Sequence, residues 1–168
     1  MFLFEKICNH KIIVFILVFA LFACQEGLDP TLQKEESFIK GKVIVISGKN
    51  SWPPPDSAVE LRVVGFKEYP PKDLINEIVS GNAFISESLE RFKDTIGFEL
   101  KIEKPPVEIK YLVAALRYGS ILEWKAIGVF SDEMTYERTP KKIIVTKGRV
   151  IENVNILVDF YNLPKQPF

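Results

Sequence analysis

The stretch Phe98-Glu99-Leu100-Lys101-Ile102-Glu103 (FELKIE) alternates apolar and charged side chains without a break. Successive residues of a β-strand point to opposite faces, so this period of two predicts a half-buried strand. Phe98, Leu100 and Ile102 face a core, and Glu99, Lys101 and Glu103 face water. The same signal recurs on both sides of it. VELRVVGF (59–66) sets Val59, Leu61 and Val63 against Glu60 and Arg62. IKGKVIVIS (39–47) is rich in Val and Ile, which favour strands. EIKYLVAALRY (108–118) is apolar on both faces at its centre, which places it centrally in a sheet. LEWKAIGVF (122–130), KIIVT (142–146) and VNILVDF (154–160) complete a set of seven.

The segments between these runs carry turn residues: NSWPPPDS (50–57), KPP (104–106), YGS (118–120) and KGR (147–149). The last two suit glycine-bearing hairpins. The least regular region is 67–97. Within it PPKDLINEIVSG (70–81) predicts one short helix around 72–80. Pro70 and Pro71 would open it, Leu74, Ile75, Ile78 and Val79 form an apolar stripe, and Gly81 stops it. NAFISESL (82–89) reads as a short edge strand. The expected fold is all-β: a seven-strand antiparallel Greek-key β-sandwich spanning 39–161, with 162–168 as a C-terminal tail.

Composition narrows the function. The chain has 168 residues, with 22 basic and 22 acidic side chains and a formal charge of +0. Without residues 1–23 it loses Lys6, Lys11 and Glu5 and is about one unit acidic. That argues against nucleic acid, which requires a clustered basic face, and against a polybasic grip on anionic lipid. At 47% hydrophobic the composition is that of a folded chain. The single histidine is His10 and the two cysteines are Cys8 and Cys24. A chain lacking the first 23 residues has no Ser-His-Asp or Cys-His set, no internal disulfide and no ordinary zinc ligand set.

Residues 1–11 (MFLFEKICNHK) are charged, and residues 12–23 (IIVFILVFALFA) are apolar and uncharged. This is the order of a secretory signal. The apolar run is shorter than the roughly 20 residues a spanning helix needs. Cleavage after Ala23 at an ordinary site would put Leu21 at the −3 position, which prefers a small residue. Leu21-Phe22-Ala23-Cys24 instead resembles the bacterial lipobox, although Phe22 departs from the usual small or β-branched residue. That resemblance implies a lipoprotein signal peptide over 1–23, a diacylglycerol on the Cys24 thiol, and acylation (palmitate among the chains) of the new amino group. Two or three acyl chains anchor stably where one does not. Residues 24–38 then form a lipid-anchored linker. Its fourteen residues after Cys24 can span about 45–50 Å when extended. Gln25 is not the Asp that signals inner-membrane retention in some lineages, so outer membrane is favoured over inner within the cell envelope.

GKVIV with its proline-rich loop, DSAVELRVVGF, IGVF and VNILVDF are similar to prealbumin-like (transthyretin-like, carboxypeptidase regulatory-like) domains over about 39–160. That resemblance implies a sandwich that is commonly non-catalytic, and it transfers no catalytic residue.

Other motifs are incomplete. SGKNS (47–51) lacks the first glycine of a phosphate loop, Val43 standing there, and Asn50 follows the lysine. SFIK (37–40) fits S-x-x-K without companion motifs. Glu99 with Glu103, and Asp132 with Glu133, are carboxylate pairs of the kind a glycoside hydrolase uses, set on a solvated strand face and in a loop. Exposed aromatics offer more. Trp52 precedes three prolines, Tyr69 precedes two, Tyr118 sits at a turn, and Trp124 lies on a strand, where core packing accounts for it. Flat rings beside loops bind sugars in many sandwiches. Open sheet edges also admit a partner's strand.

The sequence therefore predicts an envelope lipoprotein, lipidated at Cys24, with a non-catalytic β-sandwich in a binding or structural role. No catalytic residue, metal or cofactor is expected. The partners expected are the membrane, through the anchor, and a glycan or an envelope protein. A glycan-binding module using Trp52, Tyr69 and Tyr118 is one alternative, and a carboxylate-based hydrolase is another.

Overall fold

A computed structural model describes residues 36–167. Cys24, the leader and most of the linker lie outside them. The described chain is all-β. Its strands are β1 (Ser37–Val45), β2 (Ala58–Phe66), β3 (Ala83–Ile85), β4 (Thr95–Ile102), β5 (Val107–Ile109), β6 (Tyr111–Tyr118), β7 (Trp124–Val129), β8 (Ile143–Val145) and β9 (Val150–Val158). One helix, α1 (Leu74–Val79), and a 3-10 turn at Lys49–Ser51 accompany them.

Seven strands form one sheet in the order β3-β2-β6-β7-β9-β1-β4, and β5 pairs with β8 separately. The joint between β7 and β9 is narrow, with only Gly128–Val158 and Val129–Leu157 paired. On either side of it the sheet closes over a shared core. Ile39, Val43, Leu100 and Ile156 from the β9-β1-β4 half pack with Leu61, Leu112, Leu116 and Ile127 from the other. The β5–β8 ribbon adds Ile109 and Val145. The result is a sandwich made from one sheet folded on itself.

FELKIE behaves as its alternation requires. In β4, Ile96, Phe98, Leu100 and Ile102 are buried while Thr95, Gly97, Glu99 and Lys101 are exposed. The edge position expected for the 82–89 run is the one β3 occupies. Gly119 and Gly148 take the positive φ of their turns.

Three details differ from the expected arrangement. Among the described residues there are nine strands rather than seven: β3 of the 82–89 run adds one, and the 108–118 run divides at Lys110, whose N–H bonds to the Phe66 carbonyl, adding the other. The sheet is mixed rather than antiparallel throughout, since β1 and β9 run parallel. That pair also carries a bulge. Ile39 faces Ile151 but Gly41 faces Val154, so β9 holds one extra residue, and Asn153 turns to φ +61°. The bulge presses the Val154 carbonyl onto β1, where a Cβ on residue 41 would lie 1.7 Å from its oxygen. Only glycine fits at 41. Third, the tail is part of the fold: the Gln166 amide accepts from Ala126 N–H (2.8 Å) and donates to Ala126 O (3.0 Å), docking 164–167 on β7.

That docking explains how β6 is buried on both faces. Leu112, Ala114 and Leu116 enter the main core. Tyr111, Val113 and Ala115 form a second cluster on the outer face with Val64, Phe66, Ala126 and Val129. The tail lies beside it, with Pro167 bordering Val113 and Ala126. Helix α1 forms where expected, but its cap is Asp73, which accepts from Asn76 N–H at 2.9 Å. Val79, expected on the buried stripe, is 81% exposed, and Glu77 is buried instead.

Candidate functional site

The three rings proposed as a sugar platform do not form one. Trp52 is 8% exposed and packs between Phe92 and Phe160, with centroids at 5.4 and 4.9 Å. Its indole N–H donates to the Lys93 carbonyl at 3.2 Å. Trp52 is a core residue. Tyr118 ends β6, half-buried against the main core, with the Lys125 ammonium 5.2 Å from its ring centroid. Tyr69 is 49% exposed and stacks on Tyr111 at 4.9 Å. Tyr111 begins β6 and Tyr118 ends it, so Tyr69 and Tyr118 stand on the order of 20 Å apart. Trp124 is half-buried, and its N–H donates to the Ile121 carbonyl at 2.9 Å.

The incomplete motifs resolve into structure. Ser37 and Lys40 of S-x-x-K share a strand, where an odd separation sends them to opposite faces. Ser37 is buried, donating to the Thr146 carbonyl at 3.2 Å and accepting from Gly148 N–H at 2.9 Å. In SGKNS the Lys49 N–H bonds to the Asp94 carboxylate. A phosphate would have to displace that acid. Glu99 pairs with Lys40 at 2.6 Å, and Asp132 with Lys141 at 3.0 Å, each on the surface. Among the described residues no group of three His, Cys, Asp or Glu is gathered for a metal.

A surface cavity lies at the other end of β6. It measures about 150 Å³ and is bounded by Tyr69, Tyr111, Tyr136, Arg138, Pro164 and Lys165. Each wall has a clear origin. Tyr111 sits opposite Phe66 across the β2–β6 pair. Tyr69 leaves β2 three residues later and folds back onto Tyr111. Arg138 comes from the loop between β7 and β8. That loop is closed at its base by Lys141 N–H to Phe130 O (2.8 Å) and braced by Ser131 Oγ to Thr139 O (2.8 Å). The tail laces onto it through Lys165 N–H to Tyr136 O (3.0 Å) and Asn162 Nδ2 to Met134 O (3.0 Å).

Arg138 is the unusual member. It is 4% exposed, and its Nε–H and Nη2–H donate to the carbonyls of Thr135 (2.9 Å) and Asn162 (2.6 Å). Its Nη1 has no hydrogen-bond partner among the described residues. No carboxylate there forms an ion pair with it. Asp159 acts on it only at longer range and is itself bonded to Tyr161 N–H. Burial accordingly lowers the guanidinium pKa. Burial, reinforced by the charge of Tyr69, raises that of the Tyr111 phenol, while Arg138 opposes the rise. Lys165 is committed to Glu137, at 3.1 and 3.5 Å to the two carboxylate oxygens.

The arrangement has donors, aromatic walls and a buried positive charge. It has no paired nucleophile and base. Sequence reasoning passed over Arg138 and Tyr136. In YERTPKK both look like members of a solvated loop, and the Asn162 carbonyl that accepts from the arginine comes from the tail, more than twenty residues away.

Compared with protein families, curated proteins and solved structures, the chain matches none.

Proposed function

We propose that the protein is a lipid-anchored component of a bacterial cell envelope, held at Cys24, that presents a non-catalytic β-sandwich as a binding domain. Its prealbumin-like character and its place at the outer rather than the inner membrane belong to the same proposal. The observation that carries the anchor is the Leu21-Phe22-Ala23-Cys24 junction at the end of a short apolar run. The binding role rests on the surface cavity beside Tyr69 and Tyr111, one wall of which is Arg138, a buried cation. Trp52, being buried, gives a glycan platform no support.

The test is Cys24→Ser. The wild-type chain should incorporate labelled palmitate and sediment with membranes. The variant should lose the label and move to the soluble fraction. A variant that stays membrane-bound, or a wild-type chain that takes up no label, removes the anchor from this reading.

A further inference from the structure

We propose that β4 is a self-pairing edge. Two copies of this chain join through antiparallel pairing of their β4 strands, centred on Leu100, so that Glu99 of each copy faces Lys101 of the other. The proposal goes beyond the binding-domain reading and stands without it.

β4 is the last strand of its sheet, and its register with β1 runs without a shift from Thr95 to Ile102. Val45 N–H bonds to the Asp94 carbonyl, so Val45 and Asp94 form a hydrogen-bonded pair. Antiparallel partners alternate between bonded and non-bonded pairs. Ile96, Phe98, Leu100 and Ile102 therefore direct their N–H and C=O groups to β1, and Thr95, Gly97, Glu99 and Lys101 direct theirs away from it. No described strand pairs with that side. A cleft of about 620 Å³ opens along it, bounded by Gly97, Phe98 and Lys101 of β4 and by Ile85 and Leu89. Proteins blunt long edges with prolines, bulges, shortness or charge. The other edge strand, β3, has three residues. β4 has eight, with no proline and no bulge. Charge is the one device left to it.

Those charges select both the occupant and the register. Two β4 edges can exchange hydrogen bonds only where odd positions oppose odd positions, because these carry the outward backbone groups. A two-fold axis at Leu100 sets Glu99 opposite Lys101 twice. Opposite charges directly across an antiparallel pair attract, and like charges repel. An axis at Glu99 would set that carboxylate against its own copy. An axis at Phe98 would set Glu99 against Gly97 and Lys101 against Thr95, with no ion pair gained. At the Leu100 axis Phe98 also lies across from Ile102, and Leu100 from Leu100, which continues the buried apolar row of β4 into the second copy. Such an isologous contact is self-complementary and closes at two chains. Within one copy Glu99 pairs with Lys40 at 2.6 Å and Lys101 with Glu36, all of them about half exposed. Surface pairs of that kind contribute little, so sharing these side chains with a partner costs little.

The experiment is sedimentation equilibrium of the full-length chain in detergent, with micelles in excess over chains, between about 1 and 100 µM. A reversible monomer–dimer equilibrium is expected in that range. Glu99→Lys and Lys101→Glu each place like charges in opposition at both symmetry-related positions, and each should weaken the dimer tenfold or more. The double variant Glu99→Lys/Lys101→Glu restores opposite charges across the axis and should return the dimer to within about threefold of wild type. That swap turns the contacts with Lys40 and Glu36 into like-charge contacts. An effect carried within one copy would therefore leave the double variant no better than the single ones. Circular dichroism checks the fold of each variant. Should a reversal fail to fold, Glu99→Gln and Lys101→Gln serve, since they only delete the pairs, and each should weaken the dimer several-fold. A wild type that stays monomeric to about 100 µM overturns the proposal. So does a dimer indifferent to the single substitutions, or a folded double variant that stays dissociated.

Discussion

Two aromatic clusters in this molecule look alike locally and differ in kind. Around Trp52, Phe92 and Phe160 close over the indole, and its one polar atom is satisfied by the Lys93 carbonyl. Around Tyr111, Phe66 and Tyr69 stack on the phenol, but the neighbouring guanidinium of Arg138 keeps an unmet donor, and Tyr69 stays half in water. The first cluster is balanced and has nothing left to offer a ligand. The second is unbalanced. Ring content does not separate the two clusters, whereas the unpaired buried polar group beside the second does.

The largest expected effect falls on the balanced cluster. Trp52→Ala removes a buried indole and leaves a cavity, so it should cost about 3–5 kcal/mol in urea unfolding. A loss under about 1 kcal/mol would mean that the loop of 50–57 opens freely, and Trp52 would return as a surface ring. The contrast between the two clusters would then be gone.

Why the sequence separated the clusters poorly is a matter of range. Trp52-Pro53-Pro54-Pro55 and Tyr69-Pro70-Pro71 have the same local character. One ring is buried because Phe92 and Phe160 arrive from far along the chain. Arg138 has the same history, since the Asn162 carbonyl that accepts from it comes from the tail. The strands were legible because their signal is local: the alternation of FELKIE, the two-faced apolar centre of β6 and the short run of β3 each need no partner to be read. The parallel pairing of β1 with β9, the bulge at Asn153 and the narrow β7–β9 joint are relations between distant segments. They left only one local trace, Gly41, whose need for a bare Cα is visible once Val154 is in place.

The second effect tests the unbalanced cluster through pH. The Tyr111 phenol, with an ordinary pKa of 10.0, is pushed up, mainly by burial. Below about pH 10 it is neutral in both the folded and the unfolded chain, and nothing is lost. Above that, the unfolded chain releases the proton while the folded chain retains it. Stability should therefore fall with rising pH, by up to about 1.4 kcal/mol per pH unit for one group. Tyr118, also raised by burial, adds to the fall in the same window. Tyr111→Phe should flatten the slope measured between pH 10 and 11.5. An unchanged slope would show that Tyr111 titrates normally, and thus that the cavity floor is wetter than its 2% exposure indicates.

The smallest effect is expected at Tyr69. About half its surface is already in water, so Tyr69→Ala forfeits a stacking contact and little burial. Such a contact is worth about 0.5–1.5 kcal/mol beyond area. The measured loss should sit near 1 kcal/mol, several-fold below that of Trp52→Ala in the same urea titration. The two substitutions delete large rings with the same proline-flanked sequence context, so their ratio measures what the fold adds to that context. Equal losses would make Tyr69 a core residue and the cavity beneath it a packing defect. A ratio of three or more would leave Tyr69 as a wall retained at little gain in stability, which is how residues positioned to meet a ligand behave.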